Sequence, residues 1–193
     1  MSKFHHKTLG TFTRHEEPYE VRWENELVLP AFAAFSYTRT GKRRRSKKVP
    51  VEIRCDYKPT PSSIKVLQAI KKSQKQSVKN ICTTFFHDLR QQGYEEPGHH
   101  GGYGMWWSQD PIDVALSCRE ALLKRVKRER MWEPDDLLVV LYEPRIEIYS
   151  LDSEDDDLPH TRINFGAEFE DEHGVSVRTD GKQVLNVGYA GEA

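Results

Sequence analysis

Cysteine is scarce in this chain: Cys55, Cys82 and Cys118 are the only three, and no two of them form a CxxC pair. An odd, scattered set supports neither a disulfide framework nor a zinc knuckle, and a reducing compartment is its simplest home. Long apolar runs are lacking too. No window approaches the run of about eighteen residues that a membrane helix needs, and Met1–His6 has no apolar stretch of the signal-peptide kind. The expectation is a soluble, cytoplasmic protein with no membrane partner. An excess of one charge is also missing. Lys plus Arg total 29 against 30 for Asp plus Glu, so there is no global attraction to nucleic acid, and any electrostatic targeting has to be local. GxSxG, HExxH, Walker-loop and GxGxxG motifs are absent, and Gly101-Gly102-Tyr103-Gly104 is too short for a phosphate cradle. No catalytic residue is assigned and no cofactor is implied.

What is present suffices for one folded domain over residues 1–193. Hydrophobic residues are 37% of the chain and charged ones 31%, which is polar but unlike the single-sign, aromatic-poor make-up of a disordered segment. The first part reads as strands. Phe4 to Thr13 is a weak candidate; Glu20–Trp23 and Leu27–Leu29 flank Glu24-Asn25-Glu26, read as a hairpin turn; Phe32, Phe35 and Tyr37 suggest a further strand. Val49, Val51, Ile53 and Cys55 alternate with polar neighbours, as a half-buried strand should. Thr60-Pro61 starts a helix, with Thr60 as N-cap and Pro61 at the first helical position. Apolar residues from Ile64 to Leu89 then recur at helical spacing, interrupted by a polar gap from Lys71 to Ser77, as one long helix or two collinear ones. A second, shorter helix opens at Asp110-Pro111 and ends near Trp132.

The remainder is β in character. Leu137 to Tyr142 is a continuous apolar run, the pattern of a strand covered on both faces, and Glu143-Pro144 is read as turning it into alternating Arg145–Tyr149. Ile163, Phe165, Ala167 and Phe169, then Val175 and Val177, recur at period two, and Asp180-Gly181 signals a hairpin before Val184 and Val187. Strands, helix, loop, helix and strands in that order predict an α+β domain: a largely antiparallel sheet with one long and one shorter helix packed on it.

Several segments carry candidate chemistry, each with a plainer alternative. Lys42 to Lys48 holds six basic residues in seven; Arg43, Arg44, Arg45, Lys47 and Lys48 form a candidate polyanion site, although such a run without interleaved aromatics is commonly a solvated hairpin tip. Residues 94–109 contain four glycines and a proline from Pro97 to Gly104 and exclude regular structure. There Trp106 and Trp107, with His99 and His100, form a candidate protein-binding surface, since paired tryptophans make contact hot spots. The same histidines with Glu95 and Glu96 suggest metal chemistry, but adjacent histidines outside a rigid scaffold are more commonly surface, and no metal site is assigned. Glu170 to His173 contains ligand types, yet consecutive turn residues point in different directions; a structural turn leading into a positive-φ Gly174 is favoured. Glu154 to Asp157 lacks calcium-loop spacing and reads as solvated.

At the C-terminus, Phe169-Glu170-Asp171-Glu172-His173-Gly174-Val175-Ser176-Val177, with Gly181-Lys182-Gln183-Val184 and Val187-Gly188-Tyr189-Ala190, resembles the closing motif of a family of uncharacterised bacterial proteins. Some of that family's members and relatives are linked to neutralising polymorphic toxins. The match covers about thirty residues, with Phe169 standing where the motif has Trp. The resemblance implies an α+β fold and an interaction role, and it brings no catalytic residue. Three functions follow in order. The first is a non-enzymatic protein-binding module of the immunity type, with a toxin as partner. The second is a polyanion or nucleic-acid binder using residues 42–48, and the third a metal-dependent enzyme built around residues 95–107.

Overall fold

The computed structural model describes residues 2–35, 47–89, 133–150, 160–167 and 170–190. Eight strands form one sheet in sequence order: β1 (Lys3–His6), β2 (Gly10–Glu17), β3 (Glu20–Val28), β4 (Lys48–Arg54), β5 (Leu141–Tyr149), β6 (His160–Ala167), β7 (Glu170–Thr179) and β8 (Val184–Tyr189). Every neighbouring pair is antiparallel except β4 with β5. A parallel pair needs a crossover, and the long helix α1 (Pro61–Leu89) lies in that connection, followed by the one-turn helix α2 (Leu137–Val140) directly before β5. The fold is α+β, with a largely antiparallel sheet and, among the described residues, one long and one short α-helix. No described helix is long and apolar enough to cross a membrane.

Alternation decides the two faces of the sheet. Trp23 pairs with Ile53, Val51 with Ile146, and Ile163 with Val177, so one face is apolar; the helix covers it with Leu67, Ile70, Ile81 and Phe85, all essentially inaccessible. Each such side chain contributes about 1.5–3 kcal/mol by leaving water. Ser63 N donates to Thr60 Oγ1 at 3.2 Å and Ile64 N to Thr60 O at 3.1 Å, the expected N-cap of α1. One helix spans the polar gap, because that gap is where α1 crosses the sheet's turns. Lys71 Nζ donates to Thr8 O at 2.6 Å, Ala31 N donates to Gln74 Oε1 at 2.9 Å, and Ser73 Oγ lies 3.1 Å from Gly181 O. A Cβ on Gly181 would come within 2.8 Å of Val66 O, so the β7–β8 turn needs glycine to sit this close to the helix.

Five local expectations are corrected. Glu24-Asn25-Glu26 is no turn: β3 runs straight through it, with Asn25 donating from Nδ2 to Leu9 O at 2.7 Å. Phe32 lies in a 3₁₀ turn over Pro30–Ala34, capped by Phe35, in place of the expected strand; both rings are buried, and Phe35 packs against Phe165 with centroids 4.8 Å apart and ring planes tilted by 58°. Tyr37 lies outside the described residues. Leu137–Val140 is a helical turn, and the strand begins only at Leu141; an apolar run of this length does not separate the two states by periodicity. Glu143-Pro144 is not a turn between two strands but a bulge inside β5. Glu170–His173 belongs to β7, and the positive φ of Gly174, 72°, falls inside the strand. Phe4 to Thr13 resolves into β1, a turn and β2.

Candidate functional site

The second face of the sheet is built from the polar members of each alternating strand. One cross-strand row runs Glu24 to Glu52, Glu52 to Glu147, Glu147 to Arg162 and Arg162 to Arg178. Like charges directly opposite each other destabilise a sheet, so three glutamates on adjacent strands need local partners. Arg22 supplies one: its Nε sits 2.9 Å from Glu24 Oε1 and its terminal nitrogen 2.8 Å from Glu17 Oε1. The Arg22 Nε is buried and makes no aligned hydrogen bond, so the contact with Glu24 is an ion pair only. His15 Nε2 approaches the other oxygen of Glu24 at 3.4 Å. Arg54 Nε donates to Glu52 Oε1 at 2.6 Å and lies 3.0 Å from Glu20 Oε1. Tyr149 OH donates to Glu147 Oε2 at 3.1 Å.

Tyr149 is held between two guanidinium groups, Arg54 at 4.9 Å and Arg162 at 5.4 Å from the ring centroid, a cation–π arrangement that fixes all three side chains. Burial, reinforced by the Glu147 carboxylate, pushes the Tyr149 hydroxyl above its ordinary value against the pull of Arg54 and Arg162. Burial alone would lower Arg54, but the hydrogen bond and charge of Glu52 outweigh it and hold the guanidinium above its usual value. Both groups keep one protonation state near neutral pH, so this is a fixed electrostatic surface.

Between β2, β3, β4 and the start of β5 the face sinks into a cleft of ≈ 630 Å³, a volume in the range of ligand pockets. Its ionisable walls are His15, Arg22, Glu24, Glu26, Lys48, Glu52 and Arg145. Lys48 Nζ pairs with Glu26 Oε2 at 3.0 Å. The Glu52 side chain is only 13% exposed, whereas Lys48 retains 57%, so the cleft has a fixed floor and a solvated rim. Such a set can present charge to a bound group; all its members but Arg145 are held against an opposite charge, and none is paired as an activated nucleophile.

Of the candidates named from sequence, Lys47 and Lys48 are described. Lys47 O accepts a hydrogen bond from Leu29 N at 2.8 Å, and Lys48 opens β4 at the cleft rim. Arg43, Arg44, Arg45, His99, His100, Trp106 and Trp107 lie outside the described residues, as do the second expected helix, the acidic segment 152–157 and Cys118. Of Glu170–His173, His173 is exposed. Among the described residues no three His, Cys, Asp or Glu side chains converge as metal ligands. The residues that form the cleft were not singled out from sequence. The alternation in β4 showed that Glu52 and Arg54 share a face, but their partners Glu20 and Tyr149 are distant in the chain and are brought in only by strand register.

Fold and site together define an α+β protein with a preorganised, ion-paired sheet face. Comparison of the chain with protein-family models, curated proteins and solved structures finds no match.

Proposed function

We propose that the protein is a non-enzymatic binding module that docks another protein on the ion-paired face of β2–β5, acting in the bacterial cytoplasm as an immunity-type protein that neutralises a toxin. The single observation that supports this reading is the reciprocal pairing of Arg22 with Glu17 and Glu24, Arg54 with Glu20 and Glu52, and Lys48 with Glu26 around one cleft. Charges held in place before binding cost little to order, and they steer encounter and reject wrongly charged partners more than they add raw affinity. The toxin identity of the partner rests on the C-terminal resemblance alone. The test is affinity capture of the tagged full-length chain from its native host after crosslinking. A protein recovered in stoichiometric amount is the expected result. Recovery of the chain alone, or of nucleic acid lost steeply with salt, would end the proposal, the latter in favour of the polyanion reading through Arg43, Arg44 and Arg45.

A further inference from the structure

We infer that Arg145 is the anchor of the cleft for a carboxylate, presented by an Asp or Glu side chain of the docked protein. The inference rests on the protein-binding reading above and adds the chemistry of the contact. Two independent observations carry it.

The first is charge accounting among the cleft walls. His15 and Arg22 face Glu24, Lys48 faces Glu26, and Glu52 faces Arg54. Arg145 also lines the cleft and is exposed, yet it makes no ion pair among the described residues. Among the described residues it is the uncompensated charge in a wall of compensated ones. A guanidinium offers two parallel N–H donors that match a carboxylate, in a charge-assisted geometry stronger than a neutral hydrogen bond.

The second is backbone geometry. β5 pairs Tyr142 with Gly166 and then Arg145 with Asn164, so Glu143 and Pro144 together oppose the single residue Phe165. This bulge reverses the facing of everything after it: in an unbroken strand Arg145 would share the core side with Leu141, whereas here Arg145 faces the cleft and Ile146 the core. Glu143 takes φ 52°, the only positive φ at a non-glycine among the described residues. Bulges next to functional sites re-aim side chains, and a strained residue is a pointer to a site when the strain is observed first.

The test uses the full-length protein and defined probes: N-acetyl-glutamic acid amide, its glutamine analogue and inorganic phosphate. Each is titrated while the arginine Nε–H signals are followed by NMR, with the Arg145 signal assigned by its loss in Arg145→Lys. Arg178 serves as internal control, since it is exposed and without an ion pair among the described residues but lies outside the cleft. The expected result is a saturable shift at Arg145, several-fold larger than at Arg178, with the glutamic compound and absent with glutamine. Equal shifts at the two arginines, no shift, or a shift with phosphate alone would overturn the inference. Once a captured partner is in hand, Arg145→Glu abolishes its binding and Arg178→Glu does not. Failure to capture any protein would sink the proposed function while the probe titration still decides the role of Arg145.

Discussion

Replacing Gly174 with alanine isolates the backbone requirement of a glycine set inside strand β7. Gly174 sits in β7 at φ 72°, and a Cβ built there would stand 2.5 Å from the carbonyl oxygen of Phe165 in β6. The left-handed conformation costs an alanine about 1–2 kcal/mol. The oxygen cannot swing away cheaply, because Phe165 is paired with Val175 in the β6–β7 ladder; relieving the contact by a local strand shift adds on the order of 1–3 kcal/mol, as overpacking does. The sum is a loss of roughly 2–5 kcal/mol. Gly10→Ala separates the two contributions: its φ is 89°, but its Cβ would meet nothing closer than Asn25 Nδ2 at 3.6 Å, so it loses only about 1–2 kcal/mol. Urea unfolding followed by far-UV circular dichroism measures both, at an unchanged denaturant slope. Equal losses for the two variants, or a loss below about 0.5 kcal/mol for Gly174→Ala, would refute the steric argument.

Three further outcomes follow from the same geometry. Glu143→Gly relieves the positive φ in the β5 bulge and raises stability by about 0.5–1 kcal/mol; a loss of stability in the same urea assay would show that the Glu143 side chain supports the bulge. Burial, with Asp135 adding to it, pushes the Cys82 thiol up to about 12, and since the thiolate is the reactive form, iodoacetamide mapping by mass spectrometry at mildly alkaline pH finds Cys55 modified well before Cys82; equal labelling of the folded protein would contradict this. At the β7–β8 turn, burial raises the Asp180 carboxyl, but hydrogen bonds from the backbone N–H groups of Gln183 and Lys182 outweigh it and hold the carboxyl below its ordinary value. Its contribution is therefore complete above the ordinary carboxylate value and lost as pH falls through the lowered folded one, so the destabilisation caused by Asp180→Asn shrinks in strong acid, and a pH-independent difference in urea midpoint would contradict the assignment.

Much of the fold was legible in the chain because the signals are local. Val49, Val51 and Ile53 alternate, Thr60-Pro61 caps a helix, Asp180-Gly181 turns a hairpin and Gly174 takes a positive φ, and each works through the residue's own backbone or its nearest neighbours. The failures share a cause. Glu24-Asn25-Glu26 looked like a turn because polar residues cluster there, yet on a strand with one solvated face, two outward glutamates flanking an asparagine that caps the Leu9 carbonyl are ordinary. The Glu143-Pro144 bulge depends on how β5 meets β6, which no short window contains, and the apolar run Leu137–Val140 fits a helical turn and a strand equally well until its neighbours are placed. The cleft was illegible for the same reason. Arg54 meets Glu20 and Tyr149 only through register across three strands, and the alternation shows a polar face without showing which charge stands beside which.

The most direct test of the claim that recognition occurs on the ion-paired sheet face is lysine crosslinking between the protein and its captured partner, mapped by mass spectrometry. Lys48 lies on the cleft rim, while Lys65, Lys72, Lys75 and Lys79 are exposed along α1, whose apolar side covers the opposite face of the sheet. Crosslinks to the partner from Lys48, with the α1 lysines linked only rarely, are the predicted result; crosslinks concentrated on Lys65 to Lys79 with Lys48 unlinked would contradict it.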